Sequence, residues 1–394
     1  MRVIHVITRL IIGGAQENTV ASVLGLRRNP EWDVRLISGP ARGPEGSLES
    51  QAGAVSGLLT LLPSLVRPVH PWHDLIAFRQ LNRCFRELRP LIVHTHSGKA
   101  GILGRLAARQ ARVPLILHTI HGPSFGPFQG PIPNLIYRAA ERAAGRATDH
   151  FVTVADAMKQ QYLKAGIGRE AQYTRIFSGF DLKPYLESGP DNRLRQRYGL
   201  KPEDLVVGKI ARLFPLKGHD DLLAVARPVV SQCPNVRFLL VGDGIWRQRI
   251  EDQVNRLGLQ RSFVFTGLVP PEEIPGLVGA MDLLVHLSRR EGLPRALAQA
   301  LAAGRPVIAY DSDGAGEVCK DGKTGFLVPI GDHPILTDRV LRLLHSTDLR
   351  SQMGAAGREL VRSHFAVEKM VEDLTALYHR LLEERGLRKS AATA

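Results

Sequence analysis

Short β-branched apolar runs alternate with amphipathic stretches along almost the whole chain. In the first half Arg2–Thr8, Asp33–Gly39, Leu91–Thr95, Leu115–Ile120 and His150–Val154 read as strands, with a shorter one near Tyr173–Phe177. Between them, Glu17–Leu26, Asp74–Leu88, Gly98–Gln110 and Pro133–Gly145 carry apolar residues at helical spacing. A polar segment, Lys183–Asp204, interrupts the alternation. It restarts with Leu205–Ala211, Val236–Val241, Phe263–Gly267, Asp282–Leu287 and Val307–Tyr310. Strands that are apolar nearly throughout must be covered on both faces, so strands of this kind spaced by helices predict parallel sheets. The restart predicts two. The expected fold is α/β, with two Rossmann-like, doubly wound domains at 1–182 and 205–365 joined by a linker at 183–204. A tail helix within 366–386 places Met370, Leu374, Leu377, Tyr378 and Leu381 on one side and is expected to rejoin the first domain.

Composition narrows the class. A chain of 394 residues is long enough for two domains with cores of their own. Hydrophobic residues at 44% and charged residues at 23% exclude a largely disordered chain. Cys84, Cys233 and Cys319 lie far apart with no C-x-x-C pair, which argues against a disulfide framework or a thiolate zinc site and for a reducing cytoplasm. The opening MRVIHVITRLIIGG is not expected to be a secretory signal, because Arg9 breaks its apolar run and no small-residue cleavage site follows. No apolar stretch approaches the roughly 20 residues of a membrane span.

Charge adds one question. Lys and Arg number 52 against 38 Asp and Glu, a net charge of +14, which suits nucleic acid, an anionic membrane surface or phosphorylated small substrates. Aromatic residues are only 6% and no zinc-finger, RNP or KH signature is present, so nucleic acid is not an expected partner. In Asp74–Leu88, Phe78, Leu81, Phe85 and Leu88 share one face and Arg79, Arg83 and Arg86 the opposite one; Arg138, Arg142 and Arg146 form a second row. Such rows are either solvated faces or a surface for anionic lipid. The expected location is cytoplasmic, peripheral on the cytoplasmic face of the inner membrane.

In doubly wound sheets ligands bind beyond the carboxyl ends of strands, and the residues there are distinctive. Gly13 and Gly14 follow the first strand and open a helix, where free N–H groups attract anions; an ordinary tight turn is the alternative. Histidines recur in IVHTHSG and LILHTIHG, with His94 and His118 inside strands and His96, Ser97 and His121 at the loop boundary. An H-x-H pair on one strand face suits a metal, but no carboxylate accompanies either pair and no metal is expected. Arg212 and Lys217, with Gly218 beside them, can grip a diphosphate or form a solvated basic loop. In SRREGLPRALAQALAAGRPVIA, Pro294 reads as the first residue of a helix that Gly304 ends. Glu291 stands at its entrance, where an acceptor for sugar hydroxyls accounts for an acid better than a phosphate pocket does.

At these residues the sequence resembles a retaining, family 4 glycosyltransferase of the GT-B fold. The markers are the Gly13-Gly14 loop, the two histidine-bearing strand ends, Arg212 with Lys217-Gly218, Val241-Gly242-Asp243-Gly244, Glu291-Gly292-Leu293-Pro294 and Asp321-Gly322-Lys323-Thr324-Gly325. The resemblance runs from Arg2 to about Arg362 and implies two domains facing across a cleft that closes on the substrates. It implies that Arg212 and Lys217 bind the donor diphosphate, that Glu291 contacts donor sugar hydroxyls, and that Gly292 and Leu293 offer amides to them. His121 would hydrogen-bond the transferred sugar, Gly14 would lie near donor phosphates and acceptor, and backbone from Gly267 to Val269 would meet the nucleobase. His96 and Ser97 fall on the acceptor side.

The family's second glutamate, which holds the ribose, is Gln299 here, and Asp313–Glu317 lacks the usual proline before its glutamate. No D-x-D chelates a metal, so protein cations and helix N-termini are expected to stabilise the leaving group without one. No carboxylate pair stands out as nucleophile and acid, so front-side displacement with retention is expected, with no cofactor. The partners expected are a nucleoside-diphosphate sugar and a hydroxyl acceptor, lipid-linked if the basic faces meet a membrane, in polysaccharide or glycolipid synthesis. Two other readings stay open: a sugar-nucleotide 2-epimerase of the same fold, and a non-catalytic nucleotide-sugar binding protein.

Overall fold

The computed structural model describes residues 1–42, 46–189 and 191–388. The chain divides into two compact units, Met1–Phe180 with the stretch from Val367 onward, and Asp181–Ala366.

In the first unit the strands are β1 (Arg2–Ile7), β2 (Asp33–Ser38), β3 (Leu59–Leu61), β4 (Ile92–His96), β5 (Leu115–Ile120), β6 (His150–Thr153) and β7 (Tyr173–Arg175). They form one parallel sheet in the order β3-β2-β1-β4-β5-β6-β7. The second unit pairs β8 (Leu205–Ile210), β9 (Val236–Val241), β10 (Phe263–Gly267), β11 (Leu283–His286), β12 (Val307–Tyr310) and β13 (Gly325–Val328). Their order is β10-β9-β8-β11-β12-β13, again parallel. The strand order reverses between β1 and β4 and between β8 and β11. At those switch points the loops on either side diverge and leave room for a ligand.

Each sheet is covered on both faces, as its apolar strands require. In the first unit, helix Gly14–Arg27 and the C-terminal helix Val367–Glu384 cover one face, with Val20, Val23 and Leu26 in the same core as Leu374, Leu377 and Leu381. Helices Pro71–Leu88 and Gly98–Gln110 cover the other, burying Ala77, Leu81, Phe85, Ala100 and Ala107. The first two helices touch closely. A Cβ on Gly25 would lie 2.3 Å from Cγ2 of Val371. The second unit has its own core, in which Val207, Phe238, Leu240 and Val285 from the sheet meet Leu222, Ala226 and Leu336 from its helices.

Two expectations need correction. The segment 183–204 is not a free linker: it carries short helices at Lys183–Leu186 and Asn192–Arg197 and belongs to the second unit. The reason is Arg195, buried, whose guanidinium donates to the carbonyls of Ala280 (3.0 Å), Lys201 (2.7 Å) and Asp204 (2.7 Å). Pro294 caps helix Arg295–Ala302 rather than starting it, its ψ of 97° being extended.

The C-terminal helix supplies core to a unit that most of its sequence neighbours do not share. Leu377→Ala should therefore lower the stability of the first unit by about 2–5 kcal/mol, the usual range for truncating a buried leucine. Urea unfolding followed by Trp32 fluorescence, since Trp32 lies in that core, reads this directly.

Candidate active site

In the second unit, polar residues collect beyond β8 and β11. The chain leaves β8 through Arg212–Lys217 and enters helix His219–Gln232. Nε2 of His219 donates to the Arg212 carbonyl at 3.0 Å, and the backbone of Leu213 is bonded to Asp243 and Trp246, each at 2.9 Å. Gly218 is required here. Its φ is +66°, and a Cβ would lie 2.1 Å from the Leu287 carbonyl oxygen. That close approach lays the loop against the end of β11.

Lys217 is thereby delivered to Glu291, and their side chains form an ion pair. Lys217 Nζ also lies 3.5 Å from the Ser288 hydroxyl, and Nε2 of His286 stands 3.5 Å from Glu291 Oε1. The Glu291 backbone N–H donates to Asp313 Oδ2 at 2.8 Å, and Ser312 Oγ to the Ser288 carbonyl at 2.8 Å, so two neighbouring strand ends brace the loop. Burial opposes charge on Glu291. His286 and the Lys217 ammonium outweigh that and hold the carboxyl well below the usual range. With 21% and 23% of the Lys217 and Glu291 side chains still exposed, the pair offers an ionised acceptor and a cation to a ligand.

The other expected donor residues are placed differently. The Arg212 guanidinium lies 5.0 Å from the centre of the Phe214 ring. Gln299 is partly buried and its Nε2 donates to the Tyr185 hydroxyl at 2.7 Å. Gly267 ends β10 with φ +69°, its carbonyl accepting from Gly242 N at 3.1 Å, while Leu268 beside it is exposed and Val269 partly so. Gly292 is buried and Leu293 partly buried.

In the first unit, Gly13 is extended and Gly14 begins helix Gly14–Arg27. A Cβ on Gly14 would meet nothing within 4 Å, so the protein itself sets no demand for glycine there. His96 ends β4, Ser97 turns with φ +66° into helix Gly98–Gln110, and His121 follows β5. His96 and His121 are bonded ring to ring, Nδ1 to Nε2, at 3.1 Å. His94 and His118 are satisfied within the core, His94 by Tyr378 (2.6 Å) and Thr119 (2.7 Å), His118 by Thr95 (2.9 Å).

The sequence matches the family model of glycosyl transferases group 1 over residues 190–360 and that of the glycosyl transferase 4-like domain over 13–176. It is 31% identical over 266 residues to the GDP-mannose-dependent alpha-(1-6)-phosphatidylinositol monomannoside mannosyltransferase of Mycolicibacterium smegmatis, covering 65% of this chain and 68% of that one. The chain belongs to the group 1, family 4 glycosyltransferases. The glycosyltransferase is also 25% identical, over 96% of both chains, to the UDP-Gal:alpha-D-GlcNAc-diphosphoundecaprenol alpha-1,3-galactosyltransferase of Escherichia coli. Its fold is GT-B, shared with the crystal structure of Anabaena HepE in complex with UDP-glucose at TM-score 0.79 and 24% identity, over 96% of this chain and 99% of that one.

Sequence reasoning about this glycosyltransferase missed His286, Ser288, Asp313 and Lys209. His286 is the last residue of β11, the same kind of position as His96, and that parallel was the available signal. Lys209 sits inside β8 and gives no sequence sign. Burial, helped by the charge on Lys217, pushes its ammonium down to about 7, against the pull of Asp221 and Glu291.

Five histidines of the first unit share one physical state. Burial pushes His5 down to about 3 and His121 to about 4, and lowers His94, His96 and His118 well below their ordinary value of 6.5. Below pH 6.5 the unfolded chain takes up protons that the folded one refuses, so stability is complete above that pH and falls as pH drops towards 4. Unfolding free energies at stepped pH should decline from about pH 6.5 downward. A flat profile between pH 7 and 5 would contradict the neutral, buried state.

Proposed function

We propose that this glycosyltransferase moves a sugar from a nucleoside-diphosphate sugar to a hydroxyl acceptor with retention at the anomeric carbon and without a metal ion. The acceptor is lipid-linked, within cell-surface polysaccharide or glycolipid synthesis. The observation that carries the reading is the braced Lys217–Glu291 pair at the β8/β11 switch point. It sets a carboxylate, held towards its ionised form by Lys217 and His286, beside a cation, as a sugar joined to a diphosphate requires. The relatives support the class: one is named for a GDP-mannose donor, another for a UDP-galactose donor and a diphosphoundecaprenol acceptor.

In this reading Arg212 and Lys217 hold the diphosphate, and Glu291 with the Gly292 and Leu293 amides holds the sugar hydroxyls. Gln299 meets the ribose through the amide oxygen that Tyr185 leaves to it, and Gly267 to Val269 border the base. His121 bonds the transferred sugar, Gly14 admits the phosphates because no side chain stands there, and His96 and Ser97 lie towards the acceptor. As the sugar–phosphate bond breaks, negative charge grows on the leaving oxygen. Lys217 and Arg212 are fixed in place to receive it. The acceptor oxygen bonds the anomeric carbon on the face the phosphate leaves, and its proton passes to the departing phosphate.

The membrane contact rests on apolar exposure more than on arginine rows. Helix Pro71–Leu88 opens with Trp72 at 70% exposure and Ile76 at 46%, and helix Pro131–Gly145 with Ile132, Leu135 and Ile136 between 60% and 71%. Both helices pack on Gly98–Gln110 and, as crossovers of one parallel sheet, start at the same end of it. Arg79, Arg83 and Arg86 are exposed, with Arg83 paired to Glu87. In the second row Arg142 is exposed, with its Nε donating to the Ala165 carbonyl at 2.6 Å.

Lys217→Ala should lower turnover at least about tenfold, the value of a charge-assisted contact of roughly 1.5–3 kcal/mol. Activity should persist in EDTA, and NMR of the first-formed product should show the donor's anomeric configuration. Near-normal turnover of the variant, metal-dependent activity or an inverted linkage would each remove a part of the reading. Donor alone should yield no epimerised sugar.

The protein should co-sediment with vesicles containing anionic lipid, less so at high salt, and Trp72→Ser with Ile136→Ser should abolish this. Equal sedimentation of the double variant would assign those residues no membrane role.

A further inference from the structure

Six side chains of the first unit form a single hydrogen-bonded file from His121 to the core. His121 Nε2 meets His96 Nδ1 at 3.1 Å, and His96 Nε2 meets His5 Nδ1 at 2.9 Å. His5 Nε2 then meets the Tyr378 hydroxyl at 3.3 Å, which meets His94 Nδ1 at 2.6 Å, and His94 Nε2 ends on Thr119 Oγ1 at 2.7 Å. His5, His94, His96 and Tyr378 are at most 1% exposed, so water does not compete for these links. The file joins β1, β4 and β5 to the C-terminal helix.

We propose that this file fixes the tautomer and orientation of His121, and that His96, His5, Tyr378, His94 and Thr119 are positioning residues for its contact with the sugar. The proposal rests on the sugar-binding reading of His121 given above. A neutral imidazole has one N–H and one lone pair, and each link needs one of each. A direction set at any imidazole therefore propagates as far as the Tyr378 hydroxyl, which has two lone pairs. Beside the two one-way arrangements, a third has His5 and His94 both donating to Tyr378, whose own proton then lacks an acceptor in the file. If every donor points away from His121, Thr119 Oγ1 accepts from His94 and its own proton has no acceptor among the described residues. If every donor points towards His121, the Thr119 hydroxyl donates to His94, His94 to Tyr378, Tyr378 to His5, His5 to His96, and His96 Nδ1–H to His121 Nε2. The second arrangement uses every proton. It leaves His121 with its N–H on Nδ1, a donor aimed at a ligand oxygen rather than an acceptor.

Burial keeps each ring neutral near pH 7, so no imidazolium interrupts the order. Nitrogens of His5, His94 and His96 also lie within 4.8 Å of one another, the spacing of a metal site. The file engages the same nitrogens, so metal content separates the two.

Two-bond proton–nitrogen spectra of the histidine rings read the tautomers with no substrate present. In the wild type, His121 should be protonated at Nδ1 alone. Tyr378→Phe removes one O–H from the middle of the file and keeps the ring that packs edge-on to Trp32 at 5.6 Å. Thr119→Val removes the terminal donor. Each should turn His121 into a mixture of tautomers and lower kcat roughly two- to tenfold, the worth of one hydrogen bond, while donor KM changes less. Leu377→Ala, on the same helix but outside the file, should leave the ring spectra unchanged despite its lower stability. Unaltered His121 signals in both file variants, Nε2 protonation in the wild type, or a stoichiometric transition metal in the purified protein would overturn the file. Full turnover in His121→Ala would instead overturn the sugar contact, whatever the spectra show.

Discussion

A parallel strand buried on both faces can meet a ligand only where it ends. Both units of this glycosyltransferase obey that constraint, and most features of interest follow from it. β9 and β11 are largely apolar, while β1, β4 and β5 carry His5, His94, His118 and Thr119, each bonded to other side chains within the unit. Groups that could meet a ligand are left to the loops beyond the carboxyl ends. The loops part most where the strand order reverses. In the second unit that point brings Lys217 and Glu291 together from segments 74 residues apart. In the first it gathers Gly14 after β1, His96 at the end of β4 with Ser97 beyond it, and His121 after the neighbouring β5.

The sheets were legible because their signal is redundant: Leu115–Ile120, Val236–Val241, Phe263–Gly267 and Val307–Tyr310 coincide with the observed strands. Leu59–Leu61 and Gly325–Val328 were not, because three or four residues at a sheet edge contain too little alternation to stand out. Loop motifs located Lys217 and Glu291, since a glycine beside a charge at the end of an apolar strand marks a place where backbone and ligand come close. His286 and Asp313 were missed for the converse reason: each looks ordinary alone and matters only through the side chain or backbone it braces. Tyr378 is the sharpest case. Its helical spacing marks it as core, which it is, while its hydroxyl answers to histidines 284 and 373 residues away in sequence, beyond any periodicity.

Ion pairing at the site has a cost and a use. A carboxylate kept ionised against burial needs compensation, and Lys217 with His286 supplies it. The same compensation makes each partner's position depend on the other, with Gly218 holding the approach close. A cation matched by a carboxylate is a weaker general anion trap than a bare one. In the proposed reading, the pair favours ligands that present hydroxyls and phosphate together over phosphate alone.

The C-terminal helix also sets an order of events during synthesis. The first unit needs Leu374, Leu377 and Leu381 to close one face of its sheet, yet the ribosome delivers them only after the entire second unit. At ordinary elongation rates that interval is roughly ten to forty seconds. During it the nascent first unit holds Val20, Val23 and Leu26 uncovered while the second unit is free to fold without it. Residues made after the whole second unit are thus the ones that complete the first.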